Sequence, residues 1–191
     1  MKEFIQKHKL FSFYTALMLV IVFIAIFAPW LAPGDAFTSD MSKALQAPSA
    51  QHWFGTDKLG RDVLSRIIYG TQLSLFMGVS IVVIMVSIGT VIGAVAGYFG
   101  GKVEMVLMRL ADIMLSFPGV VLAIAIAGIL GGSIVNTILA LSVVGWAKYA
   151  RLVRSMTLKV RGEEYVTAAV MMGASTWTIL RRQIGRASCR E

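Results

Sequence analysis

The run Glu164-Tyr-Val-Thr-Ala-Ala-Val-Met-Met-Gly173 joins one carboxylate to three positions, Ala168, Ala169 and Gly173, with almost no side-chain bulk. That combination suits docking better than bond-making, because so bare a helix face or helix end lets a groove on another protein close around its backbone. Lys148, Arg151, Arg154, Lys159, Arg161, Arg181 and Arg182 surround it, and next to membrane-spanning sequence such an excess marks the cytoplasmic side. The side chains that usually run reactions are few and scattered. His8 and His52 fall on opposite sides of a threaded membrane and Cys189 stands alone, so no metal-ligand set assembles. No Gly-x-x-x-x-Gly-Lys-Ser/Thr loop is present to cradle ATP phosphates, which leaves another polypeptide or an ion gradient as the energy source for any transport. Asp112 alone is placed to serve a gradient-coupled site. Arg109, three residues earlier, is spaced to pair with it on one helical face at the headgroup boundary. No catalytic residue, bound cofactor or metal site is expected.

The elements that must position these groups are membrane helices. Hydrophobic residues make up 57% of the 191 residues and charged ones only 15%, against a usual apolar share of about 45–50%. A net charge of +8 would suit nucleic acid if it formed a basic face. Instead the charges gather at the ends of apolar runs, which is topology, and no nucleic-acid partner is expected. The single cysteine excludes an internal disulfide.

Four spans are expected in an all-α fold, since open strands cannot cross lipid. They are residues 11–31, 73–97, 103–130 and 134–150, the first long enough to cross roughly 30 Å of hydrocarbon and too long for a signal-peptide core. Residues 1–10 and the segment 151–184 carry the basic excess and face the cytoplasm. The loop 32–72 has balanced charge, Asp35, Asp40, Asp57 and Asp62 against Lys43, Lys58, Arg61 and Arg66, and lies outside. Gly131-Gly-Ser133 makes a short outer turn, and Lys102 with Arg109 marks the inner turn. Trp146, Lys148 and Tyr149 read as an anchor at the inner interface.

Gly89, Gly93 and Gly97 recur at every fourth position, one stripe on which another helix can approach to backbone contact. Ordinary bundle packing and a sliding contact beside a translocation path both fit that stripe. Pro118 lies inside the third span and should kink it.

The run His52-Trp-Phe-Gly-Thr-Asp-Lys-Leu-Gly-Arg-Asp-Val-Leu-Ser-Arg66, with Ile68-Tyr-Gly70 and Ser74-Leu75, closely resembles the start of the second span in inner-membrane permeases of ABC importers for peptides and nickel, in particular their C-type permease subunit. Met108-Arg-Leu-Ala-Asp112 with Phe117-Pro118 looks like that family's third-helix motif, and Glu164 to Ser175 resembles its ATPase-docking EAA loop. The resemblance implies a polytopic helix bundle of the type I importer kind, in the bacterial inner membrane, with four of about six spans present and the C-terminus truncated. It implies alternating access driven by ATP and Mg on two partner ATPases, with a second permease subunit, a periplasmic or lipid-anchored binding protein and membrane lipid as the other partners. Docking would rest on Glu164, Thr167, Ala168, Ala169 and Gly173, with Thr167 standing where the family usually has glutamate. Gly55, Asp57, Gly60, Arg61 and Asp62 would form the outer-loop motif, either receiving the binding protein or merely folding the loop. Residues 185–191 read as a foreign or frameshifted tail. A channel or gradient-driven carrier is the competing class, and the cargo is not legible.

The charge distribution puts Ser39 outside and Ser188 inside. In intact cells, with Cys189 replaced by serine, Ser39→Cys is expected to react with an impermeant maleimide and Ser188→Cys only after permeabilisation. Labelling of Ser188→Cys from outside would refute the topology.

Overall fold

A computed structural model of the chain describes residues 9–174 and Thr178. Among them the only β feature is an isolated antiparallel bridge between Thr56 and Asp62, so the all-α expectation holds. The chain divides between Gly78 and Val79 into two units.

In the first unit, α1 (Lys9–Ile26) is apolar all round: Leu10, Phe11, Phe13, Leu19 and Phe23 are more than half exposed and Ala25 is its buried residue. Such a helix has lipid as its solvent. The expected span 11–31 is interrupted at Phe27, after which α2 (Ala28–Leu31) begins with Pro29 in its first turn, where a missing N–H costs nothing. The outer segment that follows holds a short 3-10 turn, Met41–Lys43, capped by Asp40. It ends where α3 (Val63–Phe99) starts, ten residues before the expected span. Asp62 starts that helix by accepting the Ser65 amide at 2.8 Å, the N-cap geometry that satisfies an otherwise orphaned donor.

The second unit contains the rest of α3 with α4 (Gly101–Ser116), α5 (Gly119–Leu130), α6 (Ile134–Arg161) and α7 (Glu164–Met171). Gly100 and Gly101, both with positive φ, make the tight turn between α3 and α4. The expected third span, 103–130, is not one helix. It breaks at Phe117–Pro118 and α5 leaves α4 at 90°, a far larger departure than a proline kink. Proline forces the residue before it out of the helical region, and Phe117 is accordingly extended (φ −90°, ψ 144°). The Ser116 hydroxyl donates to the Ile113 carbonyl at 2.7 Å and satisfies one of the acceptors left at the helix end. At the turn between α5 and α6, the Asn136 side-chain amide donates to the carbonyls of Leu130 and Gly131 at 2.6 and 3.1 Å.

By length and composition α1 and α3 qualify to cross a membrane, and α4 with α5 makes a third if the bent pair is one span. The expected fourth span, 134–150, is not among them. It forms the first part of α6, but Asn136, Thr137, Ser142 and Lys148 dilute its apolar character, and the helix runs on to Arg161 instead of ending at Ala150.

Packing in this unit is set by small residues. A Cβ placed on Gly89 would lie 2.6 Å from that of Tyr149, one on Gly97 2.7 Å from that of Thr157, and one on Gly93 would collide with the Ala150 carbonyl. The stripe on α3 thus lies against α6 at backbone contact. Ala111 of α4 and Trp146, Ala147 and Ala150 of α6 form a buried cluster with Ile92 and Met108 against it. Trp146, expected as an interfacial anchor, is therefore a core residue at 7% exposure.

Inserting volume at such a contact typically costs about 1–3 kcal/mol. Gly93→Leu is therefore expected to lower the thermal midpoint of the detergent-solubilised protein by several degrees, whereas Gly78→Leu, whose Cβ would meet nothing within 4 Å, should leave it unchanged. Equal midpoints for the two variants would rule out the close α3–α6 contact.

Candidate functional site

Three groups of polar and small residues stand out. On the outer loop, Asp57 organises a tight turn: its carboxylate accepts the amides of Leu59 and Arg61 at 2.8 and 3.0 Å, the Arg61 Nε at 3.0 Å, and the Arg66 guanidinium. Partial desolvation pushes its pKa up, but the donors from Arg61, Leu59 and Arg66 outweigh it and hold the carboxyl well below its ordinary value. Asp62 is 2% exposed. It accepts the Ser65 hydroxyl at 2.7 Å and His52 Nδ1 at 3.0 Å, and Ser65 Oγ in turn accepts the Gly34 amide at 2.9 Å. Burial again acts upward on Asp62, and the Ser65 hydroxyl and amide and His52 overcome it, so its pKa is lowered too. An ionised carboxylate only accepts, so Nδ1 is the protonated nitrogen of His52.

The two expected glycines of this motif have backbone reasons to be glycine. Gly55 and Gly60 sit at φ +71° and +75°, and a Cβ on either would run into a carbonyl, that of Gln46 or Asp40. Thr56 completes the loop, its amide donating to the Gln46 carbonyl at 3.1 Å and its hydroxyl to the Lys43 carbonyl. Sequence reasoning singled out Gly55, Asp57, Gly60, Arg61 and Asp62 and missed Gly34, Thr56 and Ser65. His52 opens the run that carries the family resemblance, and its partner ten residues on is a carboxylate.

In the second unit, the expected Arg109–Asp112 pair does not form. Asp112 pairs with Arg151 of α6, and Glu104 accepts both Nε (2.7 Å) and a terminal nitrogen of Arg154. Glu104 and Asp112 are two helical turns apart on α4, so both face α6. An open cleft of about 420 Å³ lies there, with Arg109 on its wall. The Asp112–Arg151 pair is about half exposed, and a pair so placed contributes only ~0–1 kcal/mol to stability.

The expected docking residues lie on α7 and just beyond it. Glu164, Thr167 and Ala168 are exposed, whereas Ala169 (6%) and Val166 (2%) are buried. Gly173 is a helix terminator: at φ +79° it lets the Ala174 amide reach back to the Ala169 carbonyl at 3.0 Å, the Schellman arrangement. The low bulk of this segment therefore serves two ends, with Ala168 outward and Ala169 inward. Arg181, Arg182, Cys189, His8 and the expected tail 185–191 lie outside the described residues.

With this geometry in view, residues 89–190 match the family model described as binding-protein-dependent transport system inner membrane component. Residues 5–48 match the N-terminal transmembrane domain of oligopeptide transport permease C. The chain belongs to the family of binding-protein-dependent transport system inner membrane components. It is 42% identical over 90% of its length to a protein named as a probable D,D-dipeptide transport system permease of Escherichia coli K12. It is 41% identical over 94% of its length to a dipeptide transport system permease of Alkalihalophilus pseudofirmus, and 40% over 87% to a glutathione transport system permease of Pectobacterium atrosepticum. These matches take in 58%, 59% and 56% of the three relatives, so the chain spans under three fifths of their length. The family match runs through residue 190, across the stretch expected to be foreign.

A carboxyl whose folded pKa is lowered stabilises the fold fully above its unfolded pKa, about 3.9 for Asp, and that contribution is lost as pH falls through the lower folded value. Exchange protection of the Thr56 and Val63 amides, which close the loop onto Gln46 and Gly55, should hold from pH about 8 down to about 4 and fail only below. Asp62→Asn should lower it throughout, since the side-chain amide must set its NH2 against either the Ser65 donors or the protonated Nδ1 of His52 and leaves a donor poorly satisfied at a cost of about 1–3 kcal/mol. Loss of protection already near pH 6 would contradict this account.

Proposed function

We propose that the chain is part of the permease subunit of an ATP-driven importer for peptides, supplying one side of the translocation path and the surface on which an ATPase docks. The observation that carries the reading is α7. It is a short helix held against its own chain through Val166 and Ala169 while Glu164, Thr167 and Ala168 face outward, which is how a helix presented to a groove must be built. It lies in the part of the chain that matches the family, and the relatives' names speak of dipeptide and glutathione transport, favouring peptides over nickel as cargo. The permease itself performs no hydrolysis in this reading: ATP and Mg are held by two partner ATPases, a second permease subunit completes the path, and a periplasmic or lipid-anchored binding protein delivers substrate near the outer loop. Closure of the ATPases moves α7 as a rigid body because a helix seated in a groove follows it.

The gradient-driven alternative would use Asp112 as its proton-carrying group. The engagement of Asp112 with Arg151 counts against that use.

Ala168→Trp tests the docking surface. The position is exposed and helical, and a change there usually alters stability by no more than about 0.5 kcal/mol, yet the added indole would stand in the groove. With the ATPases co-expressed, copurification and peptide uptake are both expected to fall at least about tenfold, roughly the 1.4 kcal/mol that one such clash easily exceeds, at unchanged membrane levels. Unchanged copurification would refute docking at this helix.

A further inference from the structure

α7 is fastened to α6 by a tightly bonded link. The Gly162 amide donates to the carbonyls of Leu158 and Lys159, that of Glu163 to Val160, and those of Val166 and Thr167 to Glu163, all between 3.1 and 3.3 Å. With Val166 and Ala169 buried as well, α7 follows directly on the basic arm of α6, from Arg151 onward.

That arm is held on two sides. Against α3 it meets Gly93 and Gly97 at Ala150, Val153, Arg154 and Thr157. Against α4 it is held by Arg154–Glu104 and Arg151–Asp112. The two kinds of contact differ mechanically. Apolar surfaces at close approach resist compression but have little directionality, whereas charge-assisted hydrogen bonds add direction, and here Arg154 gives two donors to one oxygen of Glu104 and Arg151 gives one to Asp112. α4 then ends at the extended Phe117 and Pro118, beyond which α5 also packs on α6.

We propose that Glu104 and Asp112 are positioning residues for transport: their pairs with Arg154 and Arg151 carry the displacement of α7 and the α6 arm into α4, and so to the bend at Phe117–Pro118. The proposal rests on the docking reading above. Neither carboxylate touches cargo or ATP; each keeps α4 moving with α6 instead of letting the arm slide past it. A rigid-body transition needs such a connection, because the two ends of the path respond together only if the intervening elements do not yield.

The test uses the assembled importer with its ATPases and binding protein, measuring ATPase copurification, ATP hydrolysis and uptake of a labelled dipeptide. With Glu104→Gln and Asp112→Asn combined, copurification and hydrolysis are expected to stay within about twofold of the parent while uptake per ATP hydrolysed falls about tenfold. Glu104→Arg alone should show the same uncoupling, and adding Arg154→Glu, which restores the pair with its charges exchanged, should recover at least about half of the lost uptake. Unchanged uptake per ATP in the doubly neutral variant would overturn the proposal. So would loss of copurification and membrane level in every variant, or a charge exchange that rescues nothing, since either would make these residues merely structural or independent of each other. If the unaltered assembly neither retains its ATPases nor takes up the dipeptide, the permease reading itself fails.

Discussion

Backbone contact between α3 and α6 is the constraint on which the second unit depends. Three glycines four residues apart remove every Cβ from one stripe of α3, and α6 occupies the space so completely that no Cβ fits back at any of them. In lipid there is no hydrophobic gain from hiding one apolar helix against another, so close van der Waals packing over small residues must supply the association. Trp146 and Ala150, which border the stripe, also belong to the buried cluster with Ala111 of α4. The position of α4, and with it the bend that follows, is thus built outward from that contact. The same distances show close approach at Gly89, Gly93 and Gly97 and fit both ordinary bundle packing and a sliding contact.

The polar groups follow a different logic in each unit. On the outer loop the carboxylates are used for local construction, Asp57 closing a turn and Asp62 capping a helix while gathering Ser65 and His52. Each has enough donors to remain ionised despite desolvation. In the second unit Glu104 and Asp112 reach across to another helix. The first arrangement makes a small rigid body from a glycine-rich segment; the second ties two long elements whose relative movement matters if the chain transmits work.

What could be read from the sequence follows how local the cause was. The glycine stripe was visible because its period is the period of the helix, and the outer motif because its residues lie within a dozen positions of one another. The partner of Asp112 was not, since Arg151 is 39 residues away and the nearer Arg109 satisfied every local rule. Trp146 misled for a similar reason: beside Lys148 and Tyr149 it has the composition of an interfacial anchor, and only the approach of α3 and α4 makes it core. The break at Phe117–Pro118 was expected as a kink because proline removes one hydrogen bond, but its extent depends on the neighbours that hold α5 away from the α4 axis. Among the residues expected to dock, Ala168 and Ala169 look alike in sequence and face opposite ways, which a run of small residues cannot reveal.

The lengths of the helices locate the glycine contact relative to the bilayer. α3 has 37 residues, about 55 Å at 1.5 Å per residue, against roughly 30 Å of hydrocarbon. Either a steep tilt or protrusion must absorb the difference, and tilt alone at the usual ~20° shortens the projection by only a few Å. At its C-terminal end α3 runs beside Arg154 and Thr157, on the part of α6 that also carries Arg151, Lys159 and Arg161. A segment with four cations in eleven residues is costly to place in hydrocarbon, and Gly93 and Gly97 pack beside it. There the small-residue interface and the Arg–carboxylate pairs stand at one level, and each compensates for what the other lacks: the glycines bring the backbones together without orienting them, and the charges orient the helices in a layer polar enough to bear them.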